Sequence, residues 1–149
     1  MQIWVDADAC PVIIRRILFR ASQRTGVPTT LVANHALRVP HTPQINAIQV
    51  SSGFDVADNE IVNRLEVGNL VVTADLPLAG EVLAKGGHAL SPRGETYSSD
   101  DIAAKVTMRN FMDTLRASGI HGPGPASPGD KERQAFANAL DRWLAKRRR

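Results

Sequence analysis

One cysteine, Cys10, is all that the 149-residue sequence holds. That excludes an intrachain disulfide and argues against a secreted, cross-linked scaffold. No run approaches the ~18–20 continuous apolar residues of a membrane helix. The opening Met1-Gln2-Ile3-Trp4-Val5 has neither the basic n-region nor the long apolar h-region of a secretion signal. A cytoplasmic protein with no membrane partner is therefore expected. His41, His88 and His121 form neither HxH nor HExxH spacing, which speaks against zinc. The body also lacks an excess of charge of either sign. The formal net charge of +3 comes from residues 119–149, with seven Lys/Arg against three Asp/Glu; residues 1–118 carry eleven against twelve. The basic run Lys146-Arg147-Arg148-Arg149 reads as a solvated end, with contact to nucleic acid as the alternative.

What is present is an ordinary globular composition, 43% hydrophobic and 22% charged, in a chain long enough to bury roughly 70% of its unfolded surface. Short β-forming runs at residues 2–6, 30–33, 47–50, 70–73 and 88–90 predict five strands. Helical spacing predicts a helix opened by Pro11 and stopped by Gly26 and Pro28, then helices over 56–66, 76–85, 99–117 and 131–146. Residues 35–44, with Pro40 and Pro43, cannot be regular structure. A Gly/Pro-rich loop at 119–129 precedes the last helix, which must pack back on the body because ~20 residues are too few for a domain. Alternating strands and helices imply one α/β domain: a mostly parallel five-stranded sheet with helices on both faces, plus two C-terminal helices.

In such sheets ligands bind beyond the carboxyl ends of the strands. Those positions hold Asp6 and Asp8 after the first strand, Asn34 and His35 after the second, Asp55 and Asp58 after the third, Asp75 after the fourth and Arg93 after the fifth. Five carboxylates on one edge suit a hard dication, Mg²⁺ or Mn²⁺, since crowded carboxylates repel unless neutralised. Each aspartate also stands near a helix start, where it could serve as a cap. Asp6 and Asp8 resist that reading, because one cap needs one carboxylate and Asp6 lies too early for the helix after it. Cys10 reads as a small buried thiol, with a lowered pKa at a helix start as the alternative. Arg16, Arg20 and Arg24, at i, i+4 and i+8, form a solvated helix face or a stripe tracking a phosphate backbone.

The chain resembles the YaiI/YqxD family of small bacterial proteins of unknown biochemical function. The resemblance rests on Val5-Asp6-Ala7-Asp8-Ala9-Cys10-Pro11-Val12, Ala33-Asn34-His35, the 53–58 segment with Ala57-Asp58, and Val72-Thr73-Ala74-Asp75-Leu76-Pro77-Leu78-Ala79. The Pro92-Arg93-Gly94 turn, Arg109 and Gly122-Pro123 followed by Asp130 complete it. One departure is Gly68-Asn69, where the family often has Gly-Asp; Asn69 precedes its strand, away from the proposed edge. The family is similar to PIN-like nuclease domains, which implies a single PIN-like domain over residues 1–149 and metal-dependent cleavage of RNA or other nucleic acid. In that reading Asp6, Asp8 and Asp75 are catalytic, and Asp6, Asp8, Asp55, Asp58 and Asp75 hold Mg²⁺ or Mn²⁺. Asn34, His35, Arg93, Arg16 and Arg20 would bind substrate. Two alternatives stand beside it: a metal- or RNA-binding regulatory module that cuts nothing, and a phosphatase of the haloacid-dehalogenase type using Asp6-Ala7-Asp8. The phosphatase reading needs a lysine beyond a later strand, and Lys85 sits at a helix end.

Overall fold

The structure, a computed structural model, describes residues 1–53, 55–119 and 128–147. Five strands, β1 (Ile3–Asp6), β2 (Thr29–Ala33), β3 (Ile45–Gln49), β4 (Leu70–Val72) and β5 (His88–Leu90), form one sheet in the order β3-β2-β1-β4-β5. Every pairing between them is parallel. Among the described residues five α-helices accompany them: α1 (Val12–Thr25), α2 (Val56–Arg64), α3 (Leu76–Ala84), α4 (Ile102–Ala117) and α5 (Asp130–Arg147).

Right-handed crossovers decide which face each helix covers. From β1 the chain steps one way to β2 through α1. From β3 it returns across the sheet to β4 through α2 and on to β5 through α3, so these two helices must lie on the opposite face. The core divides accordingly. Ile3, Val5, Leu31 and Val72 pack with Ile14 and Leu18 of α1 and with Phe136, Leu140 and Leu144 of α5. Trp4, Val32 and Val71, the alternate residues of the same strands, pack with Ile61, Leu78 and Val82. The expected return of the last helix is thus met: α5 covers the part of the first face that α1 leaves open. Each such fully buried aliphatic or aromatic side chain is worth about 1.5–3 kcal/mol of transfer free energy.

The connection over residues 34–44 contains no helix, and Leu37 and Val39 shield the sheet instead. Several boundaries differ from the sequence expectation. Strand β3 starts at Ile45, two residues early, because Thr29 opens β2 and its register partner is Ile45. Helix α2 ends at Arg64, since Leu65 turns extended to bury its side chain. Helix α4 starts only at Ile102, has no buried residue, and leaves Met108 and Phe111 more than half exposed. Pro11 stands one position before α1 and not inside it. Most of the expected loop at 119–129, residues 120–127, lies outside the described residues, as do Arg148 and Arg149 of the basic run. Among the described residues no helix is long and apolar enough to cross a membrane.

Candidate functional site

The strand order places the topological switch point between β1 and β4, whose connections leave in opposite directions, and opens a crevice at their carboxyl ends. Asp6 is the last residue of β1 and is 7% exposed. Its carboxylate accepts a hydrogen bond from the Thr73 hydroxyl at 2.9 Å, and the same hydroxyl accepts one from the Asp75 amide at 2.9 Å. Thr73 therefore ties the ends of the two central strands together. Asp75 in turn caps α3, accepting from the Leu78 N–H at 2.9 Å.

Asp8 lies in a short 3-10 turn, Ala7–Ala9, that the sequence does not announce. One of its oxygens accepts from the Asn34 amide and the other meets His35 Nδ1, both at 2.9 Å. Asn34 and His35, expected to touch substrate, here hold Asp8 against the end of β2. Asp55 precedes α2 in the left-handed region at φ 63° and makes no side-chain cap, so the capping reading does not apply to it. Asp58 sits in the first turn of α2. All five aspartates line one open cleft of about 260 Å³, with Asn34, Ser51 and Gly53 among its other walls.

The electrostatics follow from that crowding. Burial raises the Asp6 carboxyl above its ordinary range, the Thr73 hydrogen bond opposes this, and the charges of Asp75 and Asp8 add to the rise. Asp58 is pushed up to about 7 by burial, by the charges of Asp6, Asp75 and Asp55, and by a hydrogen bond with the Asp75 carboxyl. No basic side chain lines the cleft among the described residues. A clustered, oxygen-only donor set, in which only Asp8 has a nitrogen base beside it, fits a hard dication that keeps part of its water shell. The described side chains are spread around the cleft, and no three His, Cys, Asp or Glu among them meet closely enough to ligate one ion directly. Ligation would therefore run partly through water or follow small rotamer changes.

A raised carboxyl has a defined consequence for stability. Asp58 binds its proton more tightly in the folded than in the unfolded chain, so its contribution is full below about pH 3.8 and is lost as pH rises toward 7. In EDTA, the margin of Asp58→Asn over the parent should be larger at pH 8 than at pH 5. With screening by solvent at the open cleft, we expect about 1 kcal/mol, or ~2–4 °C in Tm. Thermal melts at the two pH values check this, and a difference that does not grow with pH would contradict it.

The remaining candidates lie elsewhere. Arg93 follows β5, stands 3.8 Å from Glu132 and lines a neighbouring pocket, not the aspartate cleft. Arg16 and Arg20 are exposed on α1, and neither lines the cleft. Arg20 borders the α1–α5 groove, and Arg24 pairs with Asp141 of α5 at 3.0 Å. Each four-residue step along α1 advances about 6 Å, so this stripe leads away from the carboxyl edge. Cys10 is buried with its thiol pushed up to about 12, mainly by desolvation, which makes it an inert packing residue. Asn69 accepts from the Trp4 indole at 3.2 Å at the amino end of β4, so the Gly68-Asn69 departure leaves the cleft untouched. Thr73, within the Val72–Ala79 segment that carries the resemblance, has no further sequence signal than its place two residues before a capping aspartate.

The family model described as "Uncharacterized BCR, YaiI/YqxD family" matches residues 4–146. A UPF0178 protein of Thioalkalivibrio sulfidiphilus is 66% identical over 147 residues, covering 99% of this chain and 100% of its own length. UPF0178 proteins of Shewanella amazonensis and Vibrio cholerae are each 61% identical, covering 98% and 99% of both chains respectively. No solved structure matches. With a match across nearly its whole length and relatives at this identity, the chain belongs to the YaiI/YqxD family.

Proposed function

We propose that the protein is a Mg²⁺- or Mn²⁺-dependent phosphodiester hydrolase acting on RNA or other nucleic acid, of PIN-like type. The observation that carries the reading is the gathering of Asp6, Asp8, Asp55, Asp58 and Asp75 around one cleft at the switch point, with no basic side chain among its described walls. A bound dication would supply an activated water and charge stabilisation for the leaving oxygen. Asp6, Asp8 and Asp75 would hold it, directly or through water, with Asp55 and Asp58 completing the shell. Thr73 orients Asp6, and Asn34 and His35 orient Asp8, so these two carboxylates are set by residues just beyond β4 and β2.

A second reading is a metal- or RNA-binding regulatory module that keeps the same cleft and cuts nothing. The phosphatase reading loses support: Lys85 follows α3, its Nζ donates to the Val62 carbonyl, and no lysine lines the cleft among the described residues. The test is incubation of single- and double-stranded RNA and DNA with the protein and Mg²⁺, Mn²⁺ or EDTA. Cleavage in the metal lanes alone supports hydrolysis. Metal binding without cleavage of any substrate favours the second reading.

A further inference from the structure

A second pocket, of about 630 Å³, opens on the other side of the Thr73–Asp75 turn. Its lining includes Ala9, which follows Asp8, and Ala74, which precedes Asp75, so the two cavities share both turns. One wall is aliphatic, formed by Pro11, Val12 and Ile13 at the start of α1. Pro92 and Pro128 add further apolar surface. The polar groups come from the segment after β5. Ser91 accepts from the amides of Arg93 and Glu95, and Tyr97, 7% exposed, hydrogen-bonds to the Ser91 side chain. The bridge between Leu90 and Thr96 and the tight seat of Gly94 against α5 hold this segment still.

We infer that this pocket is a nucleoside subsite, taking the base and sugar adjoining a phosphodiester held at the aspartates; the inference rests on the nucleic-acid reading above. A nucleobase is flat, with apolar faces and a hydrogen-bonding edge. Aliphatic walls beside hydroxyl, carboxylate and guanidinium groups match that distribution. Glu95 and Arg93, ion-paired to Lys105 and Glu132, are still 60% and 39% exposed and can meet a base edge as well, whereas a bare anion would make nothing of the prolines, Val12 and Ile13. The volume lies in the range of pockets that enclose a small organic ligand, ~300–1,000 Å³. The adjacency of Ala74 and Asp75 sets base and phosphate on opposite sides of a single turn.

The probes are AMP, GMP, CMP and UMP, with ribose 5-phosphate and inorganic phosphate as controls, titrated in Mg²⁺ and followed by amide NMR shifts. Nucleotides should shift residues 11–13 and 91–97 and bind at least ~10-fold more tightly than ribose 5-phosphate. Val12 is 54% exposed at the first position of α1, where aspartate is well tolerated. Val12→Asp should weaken nucleotide binding ~10-fold by setting a charge against the apolar face of the base, and Val12→Trp should do so by filling the space. Ribose 5-phosphate binding as tightly as the nucleotides, or nucleotide shifts confined to other surfaces, would overturn the subsite. The two proposals separate cleanly. Nucleotide held here without cleavage of any polymer keeps the subsite and sinks the hydrolase. Metal-dependent cleavage that is equally fast in both Val12 variants, with no nucleotide bound, does the reverse.

Discussion

Asp6→Asn and Asp75→Asn should each lower metal-dependent cleavage by ~10²-fold or more while leaving the fold intact. The size follows from removing one charge that acts directly on the reacting centre. The fold should survive because the hydrogen bonds survive. An asparagine at position 6 still accepts from the Thr73 hydroxyl, and one at position 75 still caps α3 through the Leu78 amide. In metal-free buffer Asp6→Asn should even gain stability, since it removes a buried carboxylate facing Asp75 and Asp8. Cleavage at the parent rate in both variants would remove the aspartates from the chemistry. An equal collapse of Tm and activity would mark them as structural.

Among the described glycines, Gly94→Ala should be the most damaging alanine substitution, costing about 3 kcal/mol or more. Gly94 has φ +91°, and a Cβ there would lie 2.6 Å from the Ala135 carbonyl carbon and 2.7 Å from the Phe136 nitrogen. Both are helix backbone and cannot step aside as a flexible side chain would. The substitution thus combines left-handed strain with a forced displacement of α5. That helix buries Phe136, Leu140 and Leu144 against the sheet, so its displacement opens the first core. Gly26→Ala is the control: φ is +77°, but nothing lies within 4 Å, so only the conformational cost of ~1–2 kcal/mol remains. Urea midpoints for the two variants separate strain from collision, and equal losses would mean that α5 is not seated on this turn.

The carboxyl-edge rule, applied to apolar runs such as Leu70–Val72, brought the five aspartates together from sequence, because a strand covered on both faces announces itself by composition. Parts that depend on residues far apart in the chain were not legible. The Asp8–His35 contact spans 27 positions and the Thr73–Asp6 bond 67, and neither leaves a local pattern. Asp75 proved to be a cap and a member of the cleft at once, an outcome the opposition of cap to ligand had no place for. Arg93 was read as an edge residue from its position after β5, yet the 91–97 segment turns toward α1 and α5 and builds a different cavity. Tyr97 and Ser91, which shape that cavity, carried no signal beyond lying near a Pro-Arg-Gly turn.

The most direct measurement is a Mn²⁺ titration followed by electron paramagnetic resonance at pH 7.5, with Mg²⁺ as competitor. The parent should show saturable binding that Mg²⁺ displaces. Asp6→Asn and Asp58→Asn should each weaken it at least ~10-fold, since each removes one negative ligand from a small oxygen-only set. Binding should also strengthen between pH 6 and 8, because the Asp58 proton held near 7 must leave before that carboxylate can meet the ion. No saturation by ~10 mM Mn²⁺, or binding indifferent to both substitutions, would contradict a metal at the aspartate cleft.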